Sequence, residues 1–286
     1  MEVEKEHWDI EIKPRGCNFS LNLKEVWQYR DLLQMYIKRD IVTMYKQTVL
    51  GPLWFIIQPL FTTVMYMFVF GGIANIPTDG LPQMLFYLAG ILCWSYFGDC
   101  LGRASGTFSQ NAGVFSKVYF PRLVVPISAI TSNLIRLVIQ LAIFLIVYFY
   151  YIYNGENLQP NSTLFLLPLL ILMLAGLGMG FGIIISSLTT KYRDLAILFG
   201  FITQLWMYAT PIIYPLSAIP PKYSGVKWII ELNPLTSIVE TFKYSFTGAG
   251  TFSWFSLAYS FIFTIVVVVI GSWMFNKIER KFVDVV

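Results

Sequence analysis

Long stretches with almost no charged residue alternate with short polar segments along most of the chain. A helix needs about 20 apolar residues to cross the hydrocarbon layer of a membrane, and six stretches are long enough. We expect them to span residues 53–74, 83–102, 123–153, 163–188, 195–215 and 252–275. This pattern predicts an all-α membrane protein whose transmembrane domain, at 51–276, holds six transmembrane helices. An even number of crossings places both ends of the chain on one side of the membrane.

Residues 20–50 follow a different pattern, in which apolar positions recur at the spacing of one helix face. These positions are Val26, Tyr29, Leu33, Ile37, Ile41 and Met44, whereas Lys24, Asp31 and Lys38 mark the other face. The segment is therefore predicted to be an amphipathic interfacial helix that lies along the lipid headgroups. Gly51 and Pro52 break this helix, and Pro52 suits the first turn of the next one. The chain is expected to turn sharply from the membrane surface inward.

Basic residues are distributed unevenly between the two sides that this topology defines. Sixteen of the twenty Lys and Arg residues lie before the first span, in the loops at 103–122 and 189–194, or after residue 276. The alternate loops near 75–82 and 154–162 contain none. Because Lys and Arg are enriched in cytoplasmic segments, the tails at 1–19 and 277–286 are both predicted to be cytoplasmic.

The connection at 216–250 is unusual for an external loop. It contains Pro220, Pro221 and Pro234, followed by a half-apolar stretch at 236–246 that is too short to cross the membrane. A pair of short helices that re-enter the membrane before the last span fits this pattern, because irregular backbone at that depth is tolerated where protein buries it. An ordinary external loop with interfacial helices is the alternative.

The composition excludes several classes of function. Hydrophobic residues make up 56% and charged residues 13% of the chain, against roughly 25% charged residues in a soluble domain. The sequence has no phosphate-binding loop, no paired carboxylates and no metal-ligand spacing, and its only histidine is His7. Cys93 and Cys100 fall in an apolar span and are expected to be buried thiols. We expect no catalytic residue, metal or cofactor in this chain, so energy must come from a partner.

One charge lies inside the third predicted span. Arg136 shares a helix face with Asn133 and Gln140, at i, i+3 and i+7, and a charge at membrane depth indicates a functional site by default. The three residues could line a water-filled channel, or Arg136 could pair with Asp99 or Glu240. The alternative is a side chain that extends along the helix to the membrane surface.

Two groups of glycines recur at helical spacing within predicted spans. They are Gly98, Gly102 and Gly106 in one group, and Gly176, Gly178, Gly180 and Gly182 in the other. Spacings of four allow helix backbones to approach closely. Both groups are therefore predicted to be packing surfaces, against neighbouring helices or a second copy of the chain.

Several motifs resemble those of polysaccharide-export ABC transporter permeases, particularly of the O-antigen type. They are RDI at 39–41, YKQT at 45–48, FPR at 120–122, KYRD at 191–194, TPIIYP at 210–215 and NPLT at 233–236. The resemblance extends over nearly the whole chain from residue 20 onward, with the motifs in the order that the family shows. Residues 1–19 match nothing in that pattern.

The resemblance implies a homodimer of permeases that binds two copies of an ABC ATPase subunit in the bacterial inner membrane. ATP and Mg would bind to the ATPase, and a lipid-linked polysaccharide would enter a channel from the inner leaflet. The chain would then be a transport subunit, with no nucleic acid as partner. The alternatives are an ABC permease for drugs or lipids, a membrane enzyme that acts on lipid-linked sugars, and a scaffold that transports nothing.

The resemblance also suggests where an ATPase would bind, which is the loop at 104–121. A short coupling helix there would dock into a cleft of the ATPase, with exposed Val114 and Phe115 as an apolar anchor inside a polar rim. The predicted coupling residues are Gln110, Asn111, Val114, Phe115, Ser116 and Lys117. The alternative is a loop that folds back on the bilayer surface.

The substrate path would use residues of two kinds. Trp27, Arg30, Arg39 and Lys46 are the predicted gate for the lipid diphosphate, since a guanidinium or ammonium group can bind phosphate oxygens. A helix that only anchors the first span would look the same in the sequence. Aromatic planes suit the C–H faces of sugars, so the predicted channel lining combines the Arg136 face with Trp94, Tyr96, Phe97, Tyr208 and Tyr214. Interfacial belts or core packing would also explain these aromatics.

Overall fold

A computed structural model describes residues 23–46, 49–115, 117–118, 120–220 and 224–285, and within them the chain is helical with short turns. A 3-10 turn at Gly51–Leu53 precedes the helix Trp54–Tyr66, a π-helical stretch at Met67–Ile73 extends that helix, and a second 3-10 turn at Ser162–Leu166 precedes the helix Leu167–Lys191. The α-helices are α1 Leu23–Gln28, α2 Arg30–Tyr45, α3 Trp54–Tyr66, α4 Gln83–Ser105, α5 Thr107–Phe115, α6 Val124–Tyr153, α7 Leu167–Lys191, α8 Leu195–Tyr208, α9 Ser224–Leu232, α10 Pro234–Thr247 and α11 Trp254–Val285.

Five helical segments of the described residues are long and apolar enough to cross a membrane. They are Gly51–Ile73, Gln83–Phe115, Val124–Tyr153, Ser162–Lys191 and Trp254–Glu279. The all-α prediction is thereby confirmed for the described residues, and five of the six expected spans coincide with helices long and apolar enough to cross. The remaining window was expected to run over 195–215, but α8 is apolar for only 14 residues and ends at Tyr208. Pro211 explains this end, because the residue before a proline is disfavoured in helical conformation.

The centre of the bundle is α7, which packs between α4 and α11. Its glycines face both neighbours. A Cβ built on Gly178 would lie 2.6 Å from Cβ of Cys100 on α4, and one built on Gly180 would lie 2.8 Å from Cγ1 of Val267 on α11. The packing predicted for this group of glycines is confirmed. The buried thiols expected of Cys93 and Cys100 are also confirmed, since both residues lie in the core cluster.

The helix expected near the N-terminus is present as α2, preceded by the short α1. The apolar face predicted for it is its less exposed side, while Asp31 and Lys38 on the other side are exposed. This less exposed side packs against α6, and Val26 and Tyr36 belong to a core cluster at that end of the bundle. Protein therefore covers part of the face that was expected to rest on lipid headgroups.

The unusual connection at 216–250 contains α9 and α10, and α10 buries nearly all of its residues against other helices. Asn233 caps α10 by accepting from the amide of Leu235, and it also accepts from the indole N–H of Trp206 at 3.0 Å. Lys243 Nζ donates to the carbonyl of Pro211 at 2.7 Å and lies 3.6 Å from the ring centroid of Phe86. These bonds attach the turn after α8 to α10.

Candidate functional site

A groove of about 840 Å³ lies between α4, α5, the end of α7 and α8. We call it the α4–α8 groove. Its lining is small or hydroxylated for the most part, and Arg193 is the one charged residue in the described lining. The lining residues are Gly98, Leu101, Gly102, Ser105, Gly106, Phe108, Ser109, Gln110, Ala112, Ile185, Thr189, Thr190, Arg193, Ala196, Phe199, Gly200 and Thr203.

Two glycines of α4 form an open wall of the α4–α8 groove. A Cβ built on Gly98 or Gly102 would meet no other atom of the described residues within 4 Å. A Cβ on Gly106 would instead lie 2.5 Å from Nε2 of Gln110. The prediction that this group packs against a neighbouring helix is therefore wrong for Gly98 and Gly102 within one chain, because no helix of the described chain lies against that face.

The hydroxyl groups of the groove already use their protons inside their own helices. Thr190 donates to the carbonyl of Ser186 at 2.8 Å, Thr203 to that of Phe199 at 2.8 Å, and Ser105 to that of Gly102 at 2.8 Å. A hydroxyl oxygen keeps acceptor capacity after it has donated its proton. The groove therefore offers a ligand many acceptor oxygens of similar strength, which suits a ligand that is itself rich in O–H donors.

The predicted coupling residues lie on or just beyond α5, with different exposures. Gln110 and Lys117 are exposed, Asn111 is half-buried and Val114 is 39% exposed. Phe115 was expected to be exposed as an anchor, and this is wrong because it is only 6% exposed. Its ring packs against those of Phe108 and Phe120 with centroids 6.1 and 5.6 Å away. Ser116 lies outside the described residues.

The polar face of α6 is turned towards α4 rather than towards an open space. Arg136 Nη1 lies 2.6 Å from a carboxylate oxygen of Asp99, and Nη2 donates to Gln58 at 3.2 Å. Gln140 accepts from Ser95 at 2.8 Å. The expected pairing of Arg136 with Asp99 is confirmed. α4 fills the face where a channel was expected, so that Asn133 and Gln140 are only 1% and 3% exposed.

The aromatic residues predicted to line a channel are spread over several environments. Tyr96 and Phe97 are core residues of α4, with 2% and 0% exposure. Trp94 is half-buried, with its ring centroid 5.5 Å from that of Phe97. Tyr208 is 58% exposed at the end of α8, and its carbonyl accepts from the hydroxyl of Tyr214 at 2.9 Å. None of these five lines the α4–α8 groove.

The predicted gate residues lie along α1 and α2. Trp27 is 68% exposed, and Lys46 is exposed at the end of α2. Arg30 forms an ion pair with its neighbour Asp31, at 4.0 Å. Arg39 is held more firmly, because its guanidinium lies 2.8 Å from Asp40 and 4.3 Å from the ring centroid of Tyr36.

A carboxylate on α2 links this helix to α4. The second oxygen of Asp40 lies 3.7 Å from Arg103, so the carboxylate is shared between Arg39 and Arg103. Arg103 is four residues from Asp99, which itself pairs with Arg136. Charged contacts therefore join α2 to α4 and α4 to α6 at neighbouring positions.

Sequence reasoning missed most of the groove lining. Of the predicted site residues only Gln110 is part of it, whereas Thr189, Thr190, Arg193 and Thr203 were not singled out. A signal was available, because small residues recur every three or four positions in α8, at Ala196, Gly200 and Thr203, as they do in α4. The chain thus has two predicted spans with a face of small residues, and these two faces border one groove.

Within the part of the chain that the structure describes, no group of three or more His, Cys, Asp and Glu residues could hold a metal ion. The described lining of the α4–α8 groove accordingly contains no such group.

Comparisons with known proteins give the groove a context. The chain is 30% identical over 259 residues to the O-antigen export system permease protein RfbA of Klebsiella pneumoniae, with 89% of this chain and 95% of the relative covered. It is 27% identical over 224 residues to the protein of the same name of Myxococcus xanthus, with 78% and 83% covered. It is also 27% identical over 247 residues to the polysialic acid transport protein KpsM of Escherichia coli, with 85% and 91% covered.

A family model described as ABC-2 type transporter matches residues 31–247. The matched region runs from α2 to the end of α10 and includes every residue that lines the α4–α8 groove. Since this match covers well over half of the chain, the protein belongs to the ABC-2 type transporter family.

Proposed function

We propose that this chain is the permease subunit of an ATP-driven exporter that moves a lipid-linked polysaccharide, of the O-antigen kind, across the bacterial inner membrane. The α4–α8 groove is the observation that carries the proposal. Its acceptor-rich lining without metal ligands suits a polyhydroxylated polymer that must pass without being held. The names of the relatives, which are O-antigen export permeases and a polysialic acid transport protein, support the same class of substrate.

A second copy of the chain would complete the path. The α8 wall of the groove, from Ala196 to Thr203, falls within a predicted span and would face hydrocarbon if the groove stayed open to lipid, whereas Arg193 and the other groove hydroxyls belong to the predicted cytoplasmic loops. α8 has no buried residue, and Ile197 and Phe201 are 81% and 57% exposed beside the groove. A homodimer with its partner against α8 would turn two open grooves into one enclosed channel.

The topology that we propose has six crossings with both termini in the cytoplasm. α8 is roughly 21 Å long at 1.5 Å per residue, so it crosses only with the help of the turn after it, which α10 holds through Lys243 and Asn233. We propose that α9 and α10 re-enter the membrane from the outer side. The burial of α10 against α4, α7 and α11 supports this placement over an external loop.

The ATPase that supplies the energy, with its ATP and Mg, would bind at α5 in two copies per permease dimer. Val114 supplies the exposed apolar contact, with Gln110, Asn111 and Lys117 around it. Phe115 supports this surface from behind, where the guanidinium of Arg122 lies 5.3 Å from its ring centroid. A substitution of Phe115 would therefore disturb the fold of α5 as well as the contact.

We propose that the lipid diphosphate approaches along α1 and α2, where Trp27, Arg30, Arg39 and Lys46 lie at or near the surface. The guanidinium of Arg39 is held in place by Asp40 and Tyr36, so a phosphate would share it with the carboxylate of Asp40. Arg193 in the groove provides a further cation for the diphosphate once it has left α2.

The proposal is tested by deletion of the gene in its own host, followed by complementation with the wild-type chain. We expect lipid-linked polysaccharide to accumulate on the cytoplasmic face in the deletion strain and surface polysaccharide to return with the wild-type chain. Surface polysaccharide that is unchanged in the deletion strain would refute the proposal. Mass spectrometry of the lipid-linked pool and an antibody against the surface polymer provide the two measurements.

The ATPase contact has a separate test in native membranes. We expect an ATPase subunit to co-purify with the wild-type chain and to be lost with Val114→Asp. The matched control is Val49→Asp, the same change at a fully exposed residue between α2 and the 3-10 turn Gly51–Leu53. Loss of the ATPase with both variants, or with neither, would contradict the assignment of α5.

A further inference from the structure

A second cavity, of about 270 Å³, lies at the end of the bundle where the loop at 154–162 is found. We call it the outer cavity. It is bordered by the 3-10 turn Leu216–Ala218, by α9 and α10, and by the start of α11. The amide of Asn161 donates to the carbonyl of Ser245 at 3.0 Å, which places this loop beside α10. The outer cavity therefore lies on the side of the loop at 154–162, which contains no basic residue, and this is the predicted outer side.

The lining of the outer cavity is polar for a chain of this composition. Hydroxyl groups come from Ser217, Ser237 and Ser256, and carboxylates come from Glu231 and Glu240. Ser217 and Ser253 are exposed at its rim, so the cavity is reachable from outside the bundle. A concave site with several convergent polar groups is the usual form of a small-ligand site.

Glu240 is the residue that the fold leaves incompletely satisfied. It is 2% exposed, and its Oε2 accepts from the amide and the hydroxyl of Thr251 at 3.4 and 3.3 Å. Its Oε1 accepts no hydrogen bond from the described residues, although Lys243 Nζ lies 3.7 Å away. Lys243 directs its short bond to the carbonyl of Pro211 instead. Glu240 is thus held by few and long hydrogen bonds, and a carboxylate in this state would gain from a ligand in the cavity that donates an O–H group.

An aromatic wall stands beside these polar groups. Phe252 borders the cavity, and its ring stacks on that of Tyr244 with centroids 5.4 Å apart and 9° between the planes. Trp254 meets Phe252 edge-on at 5.0 Å. The ring of Phe252 is therefore held in one orientation, as a flat apolar surface next to O–H acceptors.

Each charged residue that lines the outer cavity has a partner of opposite charge. Lys227 lies 3.9 Å from Glu231, and Lys243 lies 3.7 Å from Glu240. Asp79, which accepts a hydrogen bond from Ser217, adds a negative charge beside these pairs, so an anionic ligand is disfavoured. A neutral ligand with several hydroxyl groups and one apolar face would match both the polar wall and Phe252. A pyranose ring has these properties.

We propose that the outer cavity binds a sugar unit of the polymer after it has left the α4–α8 groove. This proposal rests on the proposed function, because it takes the ligand from the exported polysaccharide. The outer cavity is separate from the groove in its residues, and no residue lines both.

The test uses a single reporter cysteine in whole cells. Ser256→Cys is made in a chain whose Cys17 is replaced by serine, since Cys93 and Cys100 are buried. The rate of labelling by a membrane-impermeant maleimide is compared between cells that make the polymer and cells in which its synthesis is blocked. We expect slower labelling in the cells that make the polymer. Ser217→Cys, on the facing wall, is a second reporter with the same expected result.

The matched control is Ser162→Cys, an exposed serine on the neighbouring turn at the same end of the bundle. Its labelling should not depend on polymer synthesis, so protection there as well would mean general shielding by surface polymer and would overturn the proposal. Equal labelling with and without polymer at both reporters would also overturn it, as would a failure of both to label.

The two proposals fail in distinguishable ways. Surface polymer is measured in the same cells with and without the chain. If surface polymer does not depend on the chain, the proposed function is wrong. If it does depend on the chain and labelling at Ser256→Cys is unchanged by polymer synthesis, only the sugar site at the outer cavity is wrong.

Discussion

Two groups of glycines with the same spacing have opposite environments in this molecule. In α7 a Cβ on Gly178 would lie 2.9 Å from the backbone oxygen of Phe97, so this glycine is required for the contact between α7 and α4. In α4 a Cβ on Gly98 would touch nothing in the described chain within 4 Å. The spacing thus marks a smooth helix face, and the neighbouring element decides whether that face packs or remains open.

The largest expected effect comes from a large residue in the packed group. Gly178→Leu should destabilise the chain by about 3 kcal/mol or more, because overpacking against a backbone cannot be relieved by a rotamer change. The measurements are the amount of chain in the membrane and the thermal midpoint of the purified protein. Gly98→Leu is the matched control and should retain the wild-type midpoint. Equal midpoints for the two variants would remove the distinction between the groups.

A large residue in the open group should separate transport from stability. Gly102→Trp should leave stability within about 0.5 kcal/mol, as for an exposed position, yet obstruct the α4–α8 groove and abolish export. Surface polysaccharide in a complemented deletion strain is the measurement. Loss of the homodimer in cross-linking experiments, with Gly102→Trp but not with Gly102→Ala, would instead mean that this face packs against the second copy.

The face of α4 that meets α6 is held by an ion pair rather than by glycine packing, so it provides a further comparison. Asp99→Asn should cost about 2 kcal/mol, because it weakens a partly buried ion pair with Arg136. Arg136→Gln should cost a similar amount, and the double variant should cost clearly less than both together. Denaturation of the four proteins in detergent measures this. If the two single losses in unfolding free energy add up to the loss of the double variant, the interaction between Asp99 and Arg136 does not stabilise the fold.

The smallest effect is expected for alanine in the two groups. Gly98→Ala should be neutral or stabilising by up to about 1 kcal/mol, because alanine favours an exposed helix. Gly180→Ala should destabilise, since its Cβ would lie 3.1 Å from the backbone of Val267. Thermal midpoints of the two variants give the comparison, and a shift of the same sign in both would contradict it.

The sequence was sufficient for most of the helices but not for their environments. Hydropathy located five long helices because any helix that crosses a lipid bilayer must meet the same minimum length and be mostly apolar. It predicted an end for α8 at residue 215, whereas the helix ends at Tyr208, because hydropathy does not register that Pro211 stops a helix within an apolar segment. The pairing of Arg136 was one of several options in the sequence, because periodicity gives the direction of a side chain and not the helix that it meets.

The site was less predictable than the fold. Aromatic and charged residues were expected to line the path, and Tyr96 and Phe97 lie in the core instead. The groove lining is small and hydroxylated, and such residues look unremarkable one at a time. Only the arrangement of α4 beside α8 brings them together, and this arrangement depends on contacts far apart in sequence. Phe115 was misjudged for a local reason instead, because the rings of Phe108 and Phe120 that bury it come from either side of it in its own loop.

The donated protons of the groove hydroxyls have a consequence for the speed and selectivity of transport. Apart from Arg193 and Gln110, the polar side chains of the wall accept hydrogen bonds but have no free proton to donate, so they offer a moving sugar chain weak and nearly equal contacts. Friction per sugar then stays low and depends little on which sugar passes. If the groove is the proposed polymer path, we expect a wall of this kind to distinguish little between repeat units of different composition.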